Sequence, residues 1–318
     1  MEQGFAIWAN PSSPHAEGRK ARAALEDARA RCKAALGWHG EVIFTSGASE
    51  ALWIALNRAS VSRRIVSAVE HDAVFRAALD AQVAAVENGM VVLPENMAGA
   101  IVAIQQVNSE TGAMMLEFGE PHESVTKAGA LLLADCSQGA GKLQLPDCDM
   151  AVVSAHKLGG PVGIGALLVK DFAMLEPVGG HERGYRAGTE NLPGAMGFAA
   201  ALEAGGRENW ATTTQQRADF WGRLADSWLI TGQAHCDYIR GLTHPAMSAQ
   251  AALIRLDAVG FAVSAGSACS SGTLKKSRVL DALGVPDDVA ARTIRVSLGW
   301  NTTPDDLDAF ANAWASLA

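Results

Sequence analysis

Residues 150–169, MAVVSAHKLGGPVGIGALLV, decide the fold. Two short apolar runs, 150–154 and 164–169, flank a polar and glycine-rich turn. Continuous apolar runs of this length, bounded by turn signals, are strands covered on both faces. Lys157 stands just past the first run. A lysine at a strand end is ordinarily solvated. Here the flanking glycines allow close backbone packing, which would crowd and desolvate the amine. Burial lowers a lysine pKa and makes the neutral amine available for Schiff-base formation.

The same texture extends outward. EVIFT (41–45), RIVSAV (64–69), 89–93, 101–107 and ALLLAD (130–135) read as further strands. Residues 17–35, the segment after Ser46-Gly47, residues 72–86 and residues 121–128 read as helices. Such alternation indicates the α/β class, a mostly parallel sheet with helices on both faces. Past residue 208 the strand signals thin to FAVSA and TIRVSL, and 195–229 reads as helical throughout. The expected organisation is a large α/β domain over 10–208 and a smaller α+β domain over 209–318, the latter joined by residues 1–9. A chain of 318 residues has room for two such units and buries about 75% of its unfolded surface without covalent staples.

A net charge of −8 argues against a nucleic-acid grip, which needs many phosphates neutralised by Lys and Arg. The five cysteines are odd in number, scattered and free of any CxxC pair. They indicate neither a disulfide framework nor a zinc site, and they fit a reducing cytoplasm. MEQGFAIWANPSS lacks the basic and apolar regions of a signal peptide, and no apolar run approaches the ~20 residues that span a bilayer. The expectation is a cytoplasmic protein with no bound metal, no membrane contact and no direct nucleic-acid partner.

Open parallel sheets bind ligands outside the carboxyl ends of their strands. The residues to inspect are therefore Thr45 to Ser49, Glu70-His71, Asn108, Asp135 to Gln138 and Ser154 to Lys157. Singly, each has a plain structural reading: Asp135 as a turn residue, Ser46 and Gly47 as a helix cap, His71 as a satisfied histidine. Together they describe a site. Ala48 and Ser49 open a helix whose free N–H groups would cradle a phosphate, with Ser154 and His156 adding contacts. The spacing matches neither a Walker A loop nor a dinucleotide fingerprint. Asp135 would pair with the ring-nitrogen cation of a cofactor such as pyridoxal phosphate, Gln138 would meet its ring hydroxyl and His71 would stack on it. Arg295, in TIRVSLG, reads as a cross-strand residue or as a bidentate clamp for a carboxylate.

These segments recur in one order: NPSSPHAEGRKARAAL, VIFTSGASEA, VEHDAV, QQVNSETGAM, ADCSQGAGK, SAHKLGGPVGIGAL, GGHERGYRAGTENLPG and VSAGSACSSGTLKKSRVLDALG with TIRVSLG. The set closely resembles the NifS/IscS-like cysteine desulfurases, pyridoxal-phosphate enzymes of fold type I in the class V aminotransferase family. The resemblance implies that Lys157 is the Schiff-base lysine, Asp135 the pyridine-nitrogen partner, Gln138 the ring-hydroxyl contact and His71 the stacking ring. It implies that Ala48, Ser49, Ser154 and His156 hold the phosphate. Thr189 would reach the phosphate of a neighbouring subunit, which makes a homodimer the expectation. Asn108 and Arg295 would bind the substrate carboxylate.

Cys269, in SAGSACSSG, would take the sulfur from L-cysteine as a persulfide and leave L-alanine. Small polar neighbours place this segment with the family's mobile-loop branch, suited to delivery to a sulfur-acceptor protein. The implied role is sulfur supply for iron–sulfur clusters, thio-cofactors or tRNA. The family also opens with a segment reading roughly Tyr-Leu-Asp-Asn-Ala-Thr-Thr-Pro, where this chain has only MEQGFAIWA before Asn10. Residues 208–262 look trimmed as well, and the chain stops soon after TTPDDLDAF. The implied member is thus N-terminally shortened, with its cofactor residues intact and its substrate binding altered. Two other readings stand beside it: another class V lyase or transaminase, which has no need of a thiol at Cys269, and a catalytically weak or partner-activated cofactor-binding homologue.

Overall fold

The computed structural model describes residues 1–116, 120–232, 234–265 and 277–317. In chain order the first elements are α1 (Glu2–Ala6), α2 (Ala16–Leu36), β1 (Glu41–Thr45), α3 (Ala48–Arg58), β2 (Arg63–Ser67), α4 (Asp72–Ala77) and β3 (Gln82–Ala84). Then come β4 (Val86–Glu87), β5 (Met90–Val91), β6 (Ala100–Gln105), α5 (Glu120–Lys127), β7 (Leu131–Asp135), β8 (Met150–Ser154), β9 (Gly165–Val169) and α6 (Leu192–Glu203). The remainder is α7 (Thr214–Arg223), β10 (Ile239–Thr243), α8 (Ala249–Ala258), β11 (Ser264–Ala265), α9 (Arg278–Ala282), α10 (Asp287–Ala290), β12 (Thr293–Ser297) and α11 (Pro304–Ala315).

Seven of the described strands form one sheet in the order β1-β9-β8-β7-β6-β2-β3. The pairs β8/β7, β7/β6, β6/β2 and β2/β3 are parallel, while β9 runs against both of its neighbours. Strand alternation divides the core. Val42 and Phe44 join a layer packed with α2 and α6, whereas Ile43 joins the opposite layer with α3 and α4. Both layers are apolar, so the strands read as continuous apolar runs rather than as alternating ones.

A second, antiparallel sheet, β10-β12-β11, has its own core. Phe220, Trp221, Leu242, Leu256, Phe310 and Trp314 pack there, with Phe310 edge-on to Phe220 and Phe261. Thr213 and Thr303 start α7 and α11 with capping boxes, each hydroxyl accepting a first-turn N–H while the third helical residue reaches back.

Several segments depart from the sequence reading. The helix expected over 72–86 stops at Ala77, because residues 82–84 pair with β2 and sheet pairing overrides local helix preference. Residues 89–93 contribute to a hairpin, β4-β5, turned at Asn88 and Gly89, both at positive φ. The helical stretch 195–229 is broken at Gly205, also at positive φ, and restarts at Thr213. Residues 1–9, expected with residues 209–318, pack against α6: α1 lies on it, and Ile7 and Ala9 join the core beside it. Gly4 permits this, since a Cβ there would fall 2.7 Å from the Cα of Pro193. Among the described residues no helix is long and apolar enough to cross a membrane.

Candidate active site

The carboxyl ends of β1, β2, β6, β7 and β8 open on one cavity of about 490 Å³. Its wall carries Ala48, Ser49, His71, Asp135, Gln138, Ser154, His156 and Lys157, brought together from four strand ends. Connections that end the strands on this edge account for the convergence.

The wall beside β1 depends on two glycines. Gly47 caps α3 at φ 151° and ψ −177°, a backbone region reserved to glycine. Gly165 of β9 lies so close that a Cβ would fall 2.6 Å from the Val153 carbonyl oxygen and 2.8 Å from Gly47 Cα. The first turn of α3 has N–H groups with no intrahelical acceptor. Beside it, Ser154 Oγ and His156 Nδ1 are 3.0 Å apart, held by a single helical turn over Ala155–Leu158 that ends at Gly159, φ 87°. Lys157, expected to be crowded, is exposed and stands on the cavity wall.

Asp135 is buried, and its Oδ1 accepts from the Ser137 amide at 2.9 Å. Ser137 Oγ borders the cavity, buried and without a hydrogen-bond partner among the described residues. The Gln138 carbonyl accepts from the Tyr238 hydroxyl at 3.0 Å, a clamp supplied from outside the large sheet. His71 does two things at once. It borders the cavity, and its Nδ1 accepts from Ala73 N at 3.1 Å to cap α4. A neutral ring bonded in this way carries its proton on Nε2. Burial holds the His71 pKa below its ordinary value, and burial does the same for His156, with the Lys157 charge adding to it.

Next to His71, Glu70 is almost fully buried. Its Oε1 accepts from Ser67 Oγ at 2.6 Å and from Gln105 N at 2.8 Å. Burial pushes its carboxyl up to about 8.

Other expected residues stand elsewhere. Asn108 is buried off the wall, although its neighbours Val107 and Ser109 are on it. Its Oδ1 accepts from Glu110 N, Thr111 N and Thr111 Oγ1, and its Nδ2 donates to the Val69 carbonyl. Arg295 donates to the Ser109 carbonyl and to Ser264 Oγ, both at 3.1 Å, which places it behind the same loop. Thr189 is exposed and off the wall. Cys269 lies outside the described residues.

Two supporting residues were not singled out in the sequence. Tyr238 had no local signal. Glu182 did have one, as an acid inside the glycine-rich GGHERG segment. It pairs with Arg29 and accepts from Phe44 N, while Arg186 from the same loop pairs with Glu50 at the start of α3.

Comparison with known proteins agrees with this geometry. The family described as Aminotransferase class-V matches residues 5–310. The chain belongs to the class-V aminotransferase family, on its cysteine desulfurase branch. It is 33% identical to a cysteine desulfurase of Gluconacetobacter diazotrophicus, over 94% of this chain and 84% of that one. It is 30% identical to cysteine desulfurase IscS 1 of Archaeoglobus fulgidus, over 94% and 87% of the two chains. The crystal structure of a NifS-like protein from Rickettsia africae superposes with a TM-score of 0.85 at 27% identity, covering 98% of this chain and 93% of that one. The mostly parallel sheet and the strand-end cavity are thus features of a class-V aminotransferase fold.

Proposed function

We propose that this chain is a pyridoxal-phosphate-dependent cysteine desulfurase that converts L-cysteine to L-alanine and takes the sulfur onto Cys269. One observation carries the reading: Lys157, Asp135 and His71, from three strand ends, share a single cavity with the amino end of α3.

The residues present suit the cofactor. The start of α3, Ser154 Oγ and His156 form a donor-rich corner for a phosphate. The Asp135 carboxylate suits a pyridinium nitrogen, the Lys157 amine suits an aldehyde, and the buried Ser137 hydroxyl offers a further contact. When bound, pyridoxal phosphate supplies an electron sink for chemistry at the substrate α-carbon.

Everything else falls to the protein. Asp135 keeps the proton on the ring nitrogen, Gln138 contacts the ring hydroxyl, and Lys157 moves the α-proton of the substrate. Arg295 and Asn108 orient the substrate carboxylate from behind the loop at Ser109. His71 stacks on the ring and, with Nδ1 engaged by Ala73, presents Nε2–H as a donor. The Cys269 thiolate attacks the substrate sulfur. An S–S bond forms, the C–S bond breaks with its electron pair going to carbon, and that carbon takes a proton to become alanine. Thr189 serves the phosphate of a second copy, so the working unit is a homodimer. The large unit, 10–208, carries the cofactor set and the smaller, 209–318, carries Cys269. A sulfur-acceptor protein in a reducing cytoplasm takes the persulfide onward.

One observation favours a partner-activated variant of this reading: Asn108 is already committed on both of its polar atoms. Mixing the cofactor-loaded protein with L-cysteine, with and without a reductant, tests both. Alanine with sulfide from the protein alone is the expected result; no alanine under either condition overturns the reading that this chain acts alone, and no alanine even with a sulfur-acceptor protein added overturns the partner-activated variant.

A further inference from the structure

Behind Lys157 lies a second cavity of about 270 Å³, between the turn at Gly141-Lys142, the end of α6, residues 209–210 and Leu298-Gly299-Trp300. Lys157 stands on the wall of both cavities. Five side chains with N–H donors border the second one: Lys142, Lys157, Asn209, Trp210 and Trp300, of which Asn209 already donates to the Ala204 carbonyl. Among the described residues the side-chain nitrogens of Lys142, Trp210 and Trp300 donate to no acceptor. The Lys142 ammonium rests 4.9 Å over the Tyr238 ring, and among the described residues no carboxylate lies on the cavity wall. Arg207 and Arg217 add positive charge behind the Tyr238 and Trp210 rings, with Asp237 between them.

Burial pulls the Lys142 pKa down to about 8, and the Lys157 charge adds to the effect. Lys142 is half-buried, and a partly desolvated ammonium with no carboxylate on the same wall gains from a charged acceptor. Donors without acceptors define the sign of the ligand. The apolar remainder of the wall, Leu158, Ala201, Leu298 and the indole faces, defines its tail.

We propose that this cavity binds a short-chain aliphatic carboxylate, its anionic end on Lys142 and its carbon chain against Trp210 and Leu298. The site differs in kind from an amino-acid site. An α-ammonium placed here would face two lysines with no carboxylate to meet it, so free amino acids are disfavoured.

Isothermal titration of the cofactor-loaded protein with propanoate tests the site without turnover, so its outcome is separable from that of the desulfurase reading. Saturable binding is expected, weakened by about tenfold or more in Lys142→Met. Trp300→Ala removes an exposed indole and leaves the core intact, so it tests the same wall should Lys142→Met fail to fold; it too is expected to weaken binding. L-Alanine is expected to bind less tightly than propanoate. Absence of propanoate heat, as when a second copy fills the cavity, would overturn the proposal. So would unchanged binding in both variants, or alanine binding as tightly as propanoate.

Discussion

Glu182 and Arg29 form a buried pair, Oε2 to Nη1 at 2.7 Å, that ties the loop over 179–190 to α2. The same atoms reach β1: Glu182 Oε2 accepts from Phe44 N, and Arg29 Nη1 donates to the Val42 carbonyl. Glu182 and Arg183 both hold positive φ, so the pair also keeps a strained turn in place. Glu182→Ala leaves the buried Arg29 with only the half-exposed Glu26 as a charge partner and strands Phe44 N, and is expected to cost about 2–3 kcal/mol. Arg183→Ala, which loses half-exposed pairs with Glu26 and Glu41 and a contact with the Phe172 ring, is expected to cost less than about 1 kcal/mol. Urea unfolding of the two variants checks the contrast, and equal losses would contradict it.

Glu70 gives stability a pH dependence. Its carboxyl moves from an ordinary 4.5 to about 8 on folding because burial disfavours the charge. Between those values the folded chain keeps a proton that the unfolded chain has released. Its contribution to stability therefore falls as pH rises from 4.5 to about 8 and is level outside that window. Glu70→Gln removes this slope. Unfolding curves recorded across the window should show the variant gaining on the wild type toward the alkaline end. Parallel curves would contradict the assignment.

His71 should be neutral near neutral pH and protonated on Nε2. Long-range ¹H–¹⁵N spectra are expected to show that tautomer and a titration midpoint below 6.5. His71→Ala removes the cap of α4 as well as the ring, so a stability loss of about 0.5–2 kcal/mol should accompany its catalytic defect.

Gly165→Ala forces a methyl group against the Val153 carbonyl and Gly47. The expected cost is about 1–3 kcal/mol, with weaker cofactor retention on gel filtration because the start of α3 is displaced. Gly222→Ala, in α7 with open space around its Cα, is the control and should stabilise by about 0.5–1 kcal/mol.

The frame and the rim of the site were legible in the sequence for one physical reason. Strands buried on both faces must be short unbroken apolar runs, so β7 and β8 and the polar residues after them stood out. What could not be read depends on partners distant in the chain. β3 forms because β2 offers it an edge. Glu182 finds Arg29, and Tyr238 finds Gln138, across long stretches of chain. Asn108 is spent on its own loop and on the Val69 carbonyl, a commitment that its residue type does not announce. The glycines around Lys157 were read as crowding the amine; two of them turn at positive φ, and the lysine is exposed.

The most direct test is a single turnover of the cofactor-loaded protein with L-cysteine, followed by mass spectrometry of the peptide that contains Cys269. One added sulfur on that cysteine, matched by an equal amount of alanine and absent in Lys157→Ala, is the expected result. Full alanine and sulfide release from Cys269→Ser would contradict the account.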